Sequence, residues 1–271
     1  FDSFQPDVLL DLNPLPGEFY QHAREQGTQS VYWLLEDGYA DEYRQWEDVQ
    51  EDCDLFVAYQ GSPFTPKEAP YVPWGADPML RSLREVHHQE IVLHGSFSPN
   101  RAEAGKMVCE EFTGDIPISI VGPNWSEWDY FDELNERNNV TVEDRWTEPP
   151  ETARLLRGRI VVAPWRTNRH NAVLPRYWFS MGAGGCLVCD RVGDLERHVK
   201  HNKDCVMFDG AGDMIEQLHS LINDPQRVQS IQQHGRSTIL SNHTLPHRIY
   251  KILSLLDITP PDVPEYIDRS D

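Results

Sequence analysis

Short apolar or β-branched runs alternate with longer amphipathic segments along nearly the whole chain. Each run has the length of a buried strand, and the segments between the runs are long enough for a helix. This alternation is typical of parallel sheets assembled from strand-helix units, and it predicts an α/β fold. The first series has strands predicted at Asp7–Leu12, Ser30–Leu35, Asp54–Tyr59 and Ala69–Val72, and helices predicted at Leu15–Glu25 and Asp41–Glu51.

A second series of strands occupies the rest of the chain. Its strands are predicted at Glu90–His94, Pro117–Val121, Val140–Glu143, Arg159–Ala163, Gly185–Cys189 and Cys205–Phe208. A helix-length segment follows each of them, and right-handed crossovers then make neighbouring strands parallel. The pattern therefore predicts one six-stranded, doubly wound domain. Consecutive helices are predicted from Ala211 to Leu256.

A segment rich in proline and glycine, Gly61–Pro78, separates the two series. Such a composition ends periodic structure, and we place the domain boundary soon after it, near Arg84–Gln89. The predicted organisation is an N-terminal domain over residues 1–87 and a C-terminal domain over residues 88–245. A C-terminal helix and acidic tail over residues 246–271 complete it.

The charge balance excludes one class of partner. The chain has 271 residues with 24 basic and 44 acidic side chains, so this acidic protein has a formal net charge of −20. Nonspecific binding to duplex nucleic acid requires a cationic surface, and we expect no such partner. The apolar runs are far shorter than the ~20 residues of a membrane-spanning helix, and we expect no membrane span. Five cysteines, an odd number, favour reduced thiols and a cytoplasmic protein.

Two glycine-rich turns are candidates for contact with a phosphorylated ligand. In the first, Gly95-Ser96 lies between a predicted strand and a predicted helix, where small side chains let a phosphate approach the backbone and the helix start favours anions. His94 directly precedes this turn, either facing the ligand or satisfied by backbone at the strand end. The second turn, Gly182–Gly185, lies between a helix and a strand. Helix capping is its alternative interpretation, because glycine is common just beyond a helix end.

A series of short motifs resembles one family of enzymes. The motifs are Ala163-Pro164-Trp165-Arg166, Asn171, Pro175-Arg176-Tyr177-Trp178-Phe179, Gly182-Ala183-Gly184-Gly185, Asp194-Leu195, Val206-Met207-Phe208-Asp209, His243-Thr244 and Arg248. In this order they resemble the donor domain of glycosyltransferases with two Rossmann-like domains, the GT-B fold, and the spore-maturation-type group in particular. The resemblance implies an α/β protein with two Rossmann-like domains, of which the N-terminal, acceptor-side domain is incomplete in this chain.

The resemblance also implies a reaction and a set of site residues. The reaction is transfer of a sugar from a nucleotide-diphosphate sugar to a hydroxyl of a glycan, a protein or a small molecule, for which this fold usually needs no metal or other cofactor. The expected donor-binding residues are Gly95, Ser96, Arg101, Arg166, Asn171, Tyr177, Gly184 and Gly185. The expected catalytic residues are Glu36 and Asp37 as candidate general bases, His94, and Arg176 beside the leaving phosphate. Helix capping is the alternative role of the acidic pair.

One departure from the family concerns the donor nucleotide. Many retaining members carry two glutamates eight residues apart, the second of which holds the ribose of the donor nucleotide. The matching positions here are Asn171 and Phe179. Asparagine still hydrogen-bonds a sugar hydroxyl, whereas phenylalanine offers only packing or stacking. A noncatalytic GT-B-like structural or assembly protein is therefore the alternative function. A nicotinamide-dependent enzyme is disfavoured, because neither turn has the Gly-x-Gly-x-x-Gly spacing.

Two further expectations concern individual side chains. Several residues of the types that bind zinc lie near one another in the sequence, namely Cys186, Cys189, His198, His201 and Cys205. Because positions three apart on a strand point to opposite faces, we expect no metal site there. We also expect Arg176 to face the cleft between the two domains, since an arginine at a helix start beside a glycine turn gains little from facing solvent.

Overall fold

The computed structural model describes residues 6–12, 16–34, 50–58, 69–164 and 173–259. These residues divide into two compact units. The first unit contains the described residues up to 74, residue 173 and residues 246–259, and the second contains residues 75–164 and 174–245. No helix within these ranges is long and apolar enough to cross a membrane.

The first unit contains a parallel sheet of three strands. They are β1 (Val8–Asp11), β2 (Gln29–Leu34) and β3 (Leu55–Ala58), and β2 lies between the other two. Helix α1 (Gly17–Glu25) connects β1 to β2. The strands begin and end within two residues of their predicted positions, which confirms the parallel α/β pattern here. The helix predicted at Asp41–Glu51 lies mostly outside the described residues, and in the segment 69–72 only Tyr71 bridges to Ala58.

The second unit contains the six-stranded sheet that the sequence predicts. Its strands are β4 (Ile91–His94), β5 (Ile118–Gly122), β6 (Val140–Asp144), β7 (Ile160–Ala163), β8 (Cys186–Asp190) and β9 (Val206–Phe208). Their order across the sheet is β6-β5-β4-β7-β8-β9, and every neighbouring pair is parallel. This is the doubly wound order, in which the direction of winding reverses between β4 and β7.

Helices connect these strands or follow the last of them, and several begin at proline. They are α2 (Pro99–Glu111), α3 (Phe131–Asn135), α4 (Pro149–Leu156), α5 (Pro175–Gly182), α6 (Gly193–Glu196), α7 (Ala211–Ile222) and α8 (Pro225–Asn242). Helix α9 (Leu245–Leu255) follows, and its residues from 246 onward belong to the first unit. Proline suits the first helical position because its φ is already helical and its missing N–H would have no partner there.

The core of the second unit lies on the central strands. Every residue of β7 and β8 is buried, as are Ile91, Val92 and Leu93 of β4. A strand covered by helices on both faces reads as an unbroken apolar run, which is why these strands are clear in the sequence. Each large side chain buried in this way contributes about 1.5–3 kcal/mol to folding. The carboxyl end of the sheet, the edge at which its strands end, therefore lies on a well-buried core.

The second unit begins earlier in the chain than the predicted boundary between residues 87 and 88. A short 3-10 helix, Pro78–Ser82, follows Asp77, whose carboxylate accepts a hydrogen bond from the Met79 N–H. Arg236 of α8 donates from Nη2 to the Leu80 carbonyl at 3.0 Å and to the Leu83 carbonyl at 2.7 Å. The segment thus packs with α8, a long-range contact that its proline-rich composition does not indicate.

The two glycines Gly235 and Gly212 allow a matched test of packing around α8. A Cβ at Gly235 would lie 2.3 Å from the backbone oxygen of Asp204, whereas a Cβ at Gly212 of α7 would meet nothing within 4 Å. We expect Gly235→Ala to lower the free energy of unfolding by roughly 1–3 kcal/mol through overpacking. Gly212→Ala should raise it by up to about 1 kcal/mol through helix propensity. Urea unfolding of both variants measures this, and equal effects would contradict the close packing of α8.

Candidate functional site

The candidate site lies at the carboxyl edge of the six-stranded sheet, where the winding reverses. In doubly wound sheets, ligands bind in the crevice outside this point. Strand β4 ends at His94, and the Gly95-Ser96 turn leads into α2. Strand β7, the neighbour of β4 at the reversal, ends at Ala163. Groups that follow β4 and β7 therefore come together although they are distant in sequence.

The backbone of the Gly95 turn is held by the end of strand β5. Gly95 has φ of 134°, a value that side chains disfavour, and its N–H donates to the Val121 carbonyl at 3.0 Å. The indole Nε1 of Trp125 donates to the Gly95 carbonyl at 2.8 Å. A Cβ at Gly122 would lie 2.1 Å from that same carbonyl oxygen. The turn can approach β5 this closely only because Gly122 has no side chain.

Two arginines converge on this turn from different helices. Arg101 lies in the first turn of α2, is only 6% exposed, and donates from Nη1 to the Ser96 carbonyl. Arg176 lies in the first turn of α5. A Cβ at Gly95 would lie 2.8 Å from Nη1 of Arg176 and 3.2 Å from Nη1 of Arg101. Both guanidinium groups thus lie beside the turn, where the starts of two helices also favour negative charge.

The surroundings of these arginines disfavour their positive charge. Burial, the largest cause, and the nearby charge of Arg176 together lower the pKa of Arg101 to about 10. Burial also lowers the pKa of Arg176. Both side chains remain protonated at neutral pH, but two like charges with reduced solvation raise the free energy of the site. A bound anion would lower it.

His94 is neutral in this environment. Burial is the largest cause that lowers its pKa to about 4, and the charges of Arg176 and Arg101 lower it as well. Its Nε2 is hydrogen-bonded to the Thr147 hydroxyl at 2.9 Å. That hydroxyl is hydrogen-bonded to Thr152 Oγ1 at 2.7 Å. A pKa near 4 makes His94 a weak base at neutral pH, and its ring is fixed in place by the threonines.

A small pocket opens beside the start of α2. Its lining includes Asn100 and Glu103 of α2, Pro164 after β7, Asp190 at the end of β8 and Phe208 at the end of β9. All five residues lie toward the carboxyl ends of strands or the start of a helix. The pocket thus lies at the same edge of the sheet as the Gly95 turn, which is where a ligand larger than a phosphate would need space.

Two predicted donor-binding glycines lie elsewhere, and their assignment is corrected. Gly184 and Gly185 precede β8, so they lie at the amino edge of the sheet, the edge opposite the Gly95 turn. Gly184 has φ of 87° and follows the last turn of α5, and the Gly185 N–H donates to the Ser180 carbonyl at 2.9 Å. This is the hydrogen bonding of a helix end. A Cβ at Gly185 would lie 2.7 Å from Val161 Cγ2, so its small size serves packing.

Tyr177 and Phe179, both on α5, differ in exposure. Tyr177 is fully buried, and its hydroxyl has no hydrogen-bond partner among the described residues. Its side chain therefore has no exposed surface through which to make the predicted contact with the donor. Phe179 is half-buried, one turn after Arg176. Of the other predicted site residues, Glu36, Asp37, Arg166 and Asn171 lie outside the described residues.

Several residues around the turn were not among those predicted for the site. They are Gly122, Trp125, Thr147 and Thr152, which hold the turn or His94. Gly122 has a signal in the sequence, a glycine directly after an apolar strand, but the threonines have none. The cysteine and histidine set is not brought together as ligands, because the described part of the chain contains no group of three metal-ligating side chains.

A comparison with family models decides the family. The model described as glycosyl transferase-like matches residues 78–254, well over half of the chain. The chain belongs to this glycosyl transferase-like family. No curated protein matches the sequence closely enough to serve as a relative. The narrower resemblance to the spore-maturation-type group stays a prediction.

Several solved structures of glycosyltransferases have the same fold as this chain. Anabaena HepE, determined in complex with UDP and glucose, matches with a TM-score of 0.63 and 13% identity over 93% of this chain and 77% of its own. S. aureus TarM, in complex with UDP and other ligands, matches with a TM-score of 0.63 and 13% identity. That match covers 85% of this chain but only 51% of TarM.

A third structure extends the comparison. The sucrose-phosphate synthase of Thermosynechococcus elongatus matches with a TM-score of 0.64 and 14% identity over 93% of this chain and 73% of its own. These similarities confirm the GT-B fold with its Rossmann-like units. At such low identity they carry no statement about the substrates of this chain.

The depressed pKa of His94 makes the stability of the unliganded protein depend on pH. The pKa of His94 is 6.5 in the unfolded chain and about 4 in the folded protein. The unfolded state therefore binds more protons than the folded state between pH 4 and pH 6.5. Stability therefore falls by up to about 3 kcal/mol as the pH drops from 6.5 through 4. In His94→Gln this part of the pH dependence of urea unfolding should disappear. As a control, NMR titration of Arg176→Gln should give a higher pKa for His94, and an unchanged value would contradict the electrostatic cause.

Proposed function

We propose that this family member transfers a sugar from a nucleotide-diphosphate sugar to a hydroxyl group of an acceptor. The observation that carries the proposal is the convergence of Arg101 and Arg176 on the Gly95-Ser96 turn. Two cations and the start of α2 beside a glycine turn form a site for a diphosphate. The complexes of HepE and TarM with UDP support a nucleotide of this kind.

The arginines have a role in the reaction as well as in binding. Transfer breaks the bond between the anomeric carbon and the phosphate oxygen and forms a bond from that carbon to the acceptor oxygen. The nucleoside diphosphate leaves with additional negative charge, which Arg101 and Arg176 stabilise more strongly than they stabilise the bound donor. Because the site already has reduced solvation, these charges act with little screening.

The acceptor proton needs a base in an inverting reaction. With a pKa near 4, His94 is poorly suited to this role before the donor binds. Its neutral form instead limits the positive charge beside the turn to the two arginines. We assign the role of base to Glu36 or Asp37, which follow β2 in the sequence. In parallel sheets the ligand crevice lies beyond the carboxyl ends of the strands, which is where carboxylates that follow a strand are expected.

A noncatalytic protein that retains the fold is the second candidate function. The observation that favours it is the half-buried Phe179 on α5, at the position where retaining relatives carry a glutamate. Without that carboxylate, a donor nucleotide loses one charge-assisted hydrogen bond. Measurement of donor binding separates the two candidates, because a noncatalytic protein has no need to retain it.

Removal of either arginine should weaken nucleotide binding. In Arg101→Gln or Arg176→Gln, the loss of a charged hydrogen-bond donor should raise the Kd for UDP about ten- to a hundredfold. Calorimetry of the protein against UDP and other nucleoside diphosphates measures this. Arg154→Gln, which removes an exposed arginine on α4, is the control and should bind as the wild type does. Unchanged affinity in both site variants would place the donor elsewhere and overturn the proposal.

Phe179→Glu tests whether the donor site has lost a ribose contact. A carboxylate at this position should tighten binding of the preferred nucleoside diphosphate about ten- to a hundredfold by restoring a charged hydrogen bond. Phe179→Leu, which keeps an apolar side chain, should change the Kd little. If the wild type binds at micromolar strength and Phe179→Glu abolishes binding, then Phe179 belongs to a working pocket and its match to the family glutamate is wrong.

A further inference from the structure

The carbonyl of Gly95 has a hydrogen-bond partner that strand pairing alone cannot supply. Strands β4 and β5 are parallel, with His94 opposite Val121. The pairing continues past the strand end, since the Gly95 N–H donates to the Val121 carbonyl at 3.0 Å. In this register, the Gly95 carbonyl would accept a hydrogen bond from the N–H of residue 123. That residue is Pro123, which has no N–H to donate.

The indole of Trp125 takes the place of the missing backbone donor. Its Nε1 donates to the Gly95 carbonyl at 2.8 Å, and the side chain is fully buried. A short 3-10 helix begins at this tryptophan. Asp144, at the end of β6, fixes that helix, because its carboxylate accepts from the N–H groups of Asn124 and Ser126 at 2.6 Å and 2.9 Å. The indole donor therefore has a fixed position beside the turn.

These bonds decide which way the Ser96 N–H points. The N–H groups of Gly95 and Phe97 both donate toward β5, the second to the Pro123 carbonyl at 2.9 Å. Successive residues of an extended chain present their N–H and C=O groups to opposite sides, so those of Ser96 face the side of β7, the other neighbour of β4. The Ser96 carbonyl accepts from Arg101 Nη1 there. The Ser96 N–H has no hydrogen-bond partner among the described residues.

An N–H in this position is a third donor for an anion beside the two arginines. Ser96 is half-buried, and an N–H withdrawn from water without an acceptor raises the free energy of the unliganded site. A phosphate oxygen between Arg101 and Arg176 would supply the acceptor. Because the N–H belongs to the backbone of a fixed turn, it needs no rearrangement when charge develops on the leaving phosphate.

Glycine makes this orientation depend on the indole. Gly95 has no Cβ, so little in its own residue resists rotation of the peptide group that joins it to Ser96. Without a donor from Trp125, the Gly95 oxygen would face β5 with no partner, and rotation would turn that oxygen toward the two guanidinium groups. The rotated peptide group would present a carbonyl oxygen to the anion in place of an N–H.

We propose that Trp125 is a positioning residue for sugar transfer, because its indole N–H holds the Gly95-Ser96 peptide group with the Ser96 N–H directed at the diphosphate of the donor. The inference depends on the proposed function, since it concerns the same site. Packing alone does not require an indole here. The ring lies against Phe97 and Trp128, with centroid distances of 5.7 Å and 5.3 Å, and a phenylalanine would keep an aromatic ring between them.

Calorimetry of the full chain with UDP and with uridine separates positioning from packing. In Trp125→Phe, we expect the Kd for UDP to rise about tenfold, because the diphosphate loses a backbone hydrogen bond. The Kd for uridine, which has no phosphate, should be unchanged. Trp128→Phe makes the same substitution in the neighbouring, half-buried indole and is the matched control. It should bind UDP as the wild type does.

A second substitution provides a rescue that ring packing cannot. Pro123→Ala introduces a backbone N–H at the position that the register requires for the Gly95 carbonyl. When Pro123→Ala is added to Trp125→Phe, most of the lost affinity for UDP should return. A double variant that is not rescued would assign the effect of Trp125→Phe to packing and overturn the inference.

NMR of the wild type gives a readout that needs no variant. The amide proton of Ser96 should shift downfield when UDP is added, and it should move little when uridine is added. In Trp125→Phe the shift caused by UDP should become smaller. This measurement decides the question even if circular dichroism shows that Trp125→Phe does not fold.

The outcomes distinguish this inference from the proposed function. The role of Trp125 is wrong if folded Trp125→Phe binds UDP as the wild type does, if its affinities for UDP and uridine fall equally, or if UDP leaves the Ser96 amide of the wild type unmoved. When Arg101→Gln still weakens UDP binding in such a case, the proposed function stands and only the positioning role falls. A wild type that binds no nucleoside diphosphate would overturn both.

Discussion

Two guanidinium groups share one glycine turn, and much of the second unit follows from that constraint. Arg101 and Arg176 are adjacent because β4 and β7 are neighbouring strands and each is followed by a helix that begins at the carboxyl edge. The burial of His94 and, to a smaller extent, the charges of the two arginines keep this histidine neutral. The turn between them admits no side chain, since a Cβ at Gly95 would lie within 3.2 Å of both. The order of the strands thus places two helix starts, two arginines, Gly95 and His94 side by side, and their charges and solvation depend on one another.

The strands of both sheets could be predicted from the sequence because burial on both faces leaves unbroken apolar runs. The two glycine turns show the limit of composition alone. Gly95 follows a strand and Gly184 precedes one, and only the first position lies at the edge where ligands bind in such sheets. Whether a glycine follows or precedes a strand can be read from the sequence. This order distinguishes a turn that binds phosphate from a helix end better than the number of glycines does.

Other parts of the site depend on contacts that no local pattern contains. His94 and Thr147 are 53 positions apart, and their hydrogen bond follows only from the register of β4, β5 and β6. The anchoring of Arg236 on the Leu80 carbonyl spans 156 positions. A proline-rich segment predicts an end of periodic structure but not the helix against which it packs. The sequence therefore predicts elements well, and the partners of individual polar side chains poorly.

The contact between Gly95 and Gly122 has a consequence for how this chain can diverge. The carbonyl of one residue occupies the space that a side chain on the other would need, and Trp125 holds that carbonyl in place. A side chain at Gly122 would therefore displace the Gly95 turn, and no substitution at Gly95 removes the backbone oxygen in its way, whereas a side chain at Gly95 would meet the two arginines instead. Gly114, in a loop where a Cβ would meet nothing within 4 Å, carries no such restriction. Mutational drift in this unit is thus blocked at Gly122 by a backbone atom that no neighbouring substitution removes, whereas Gly114 is free to change on its own.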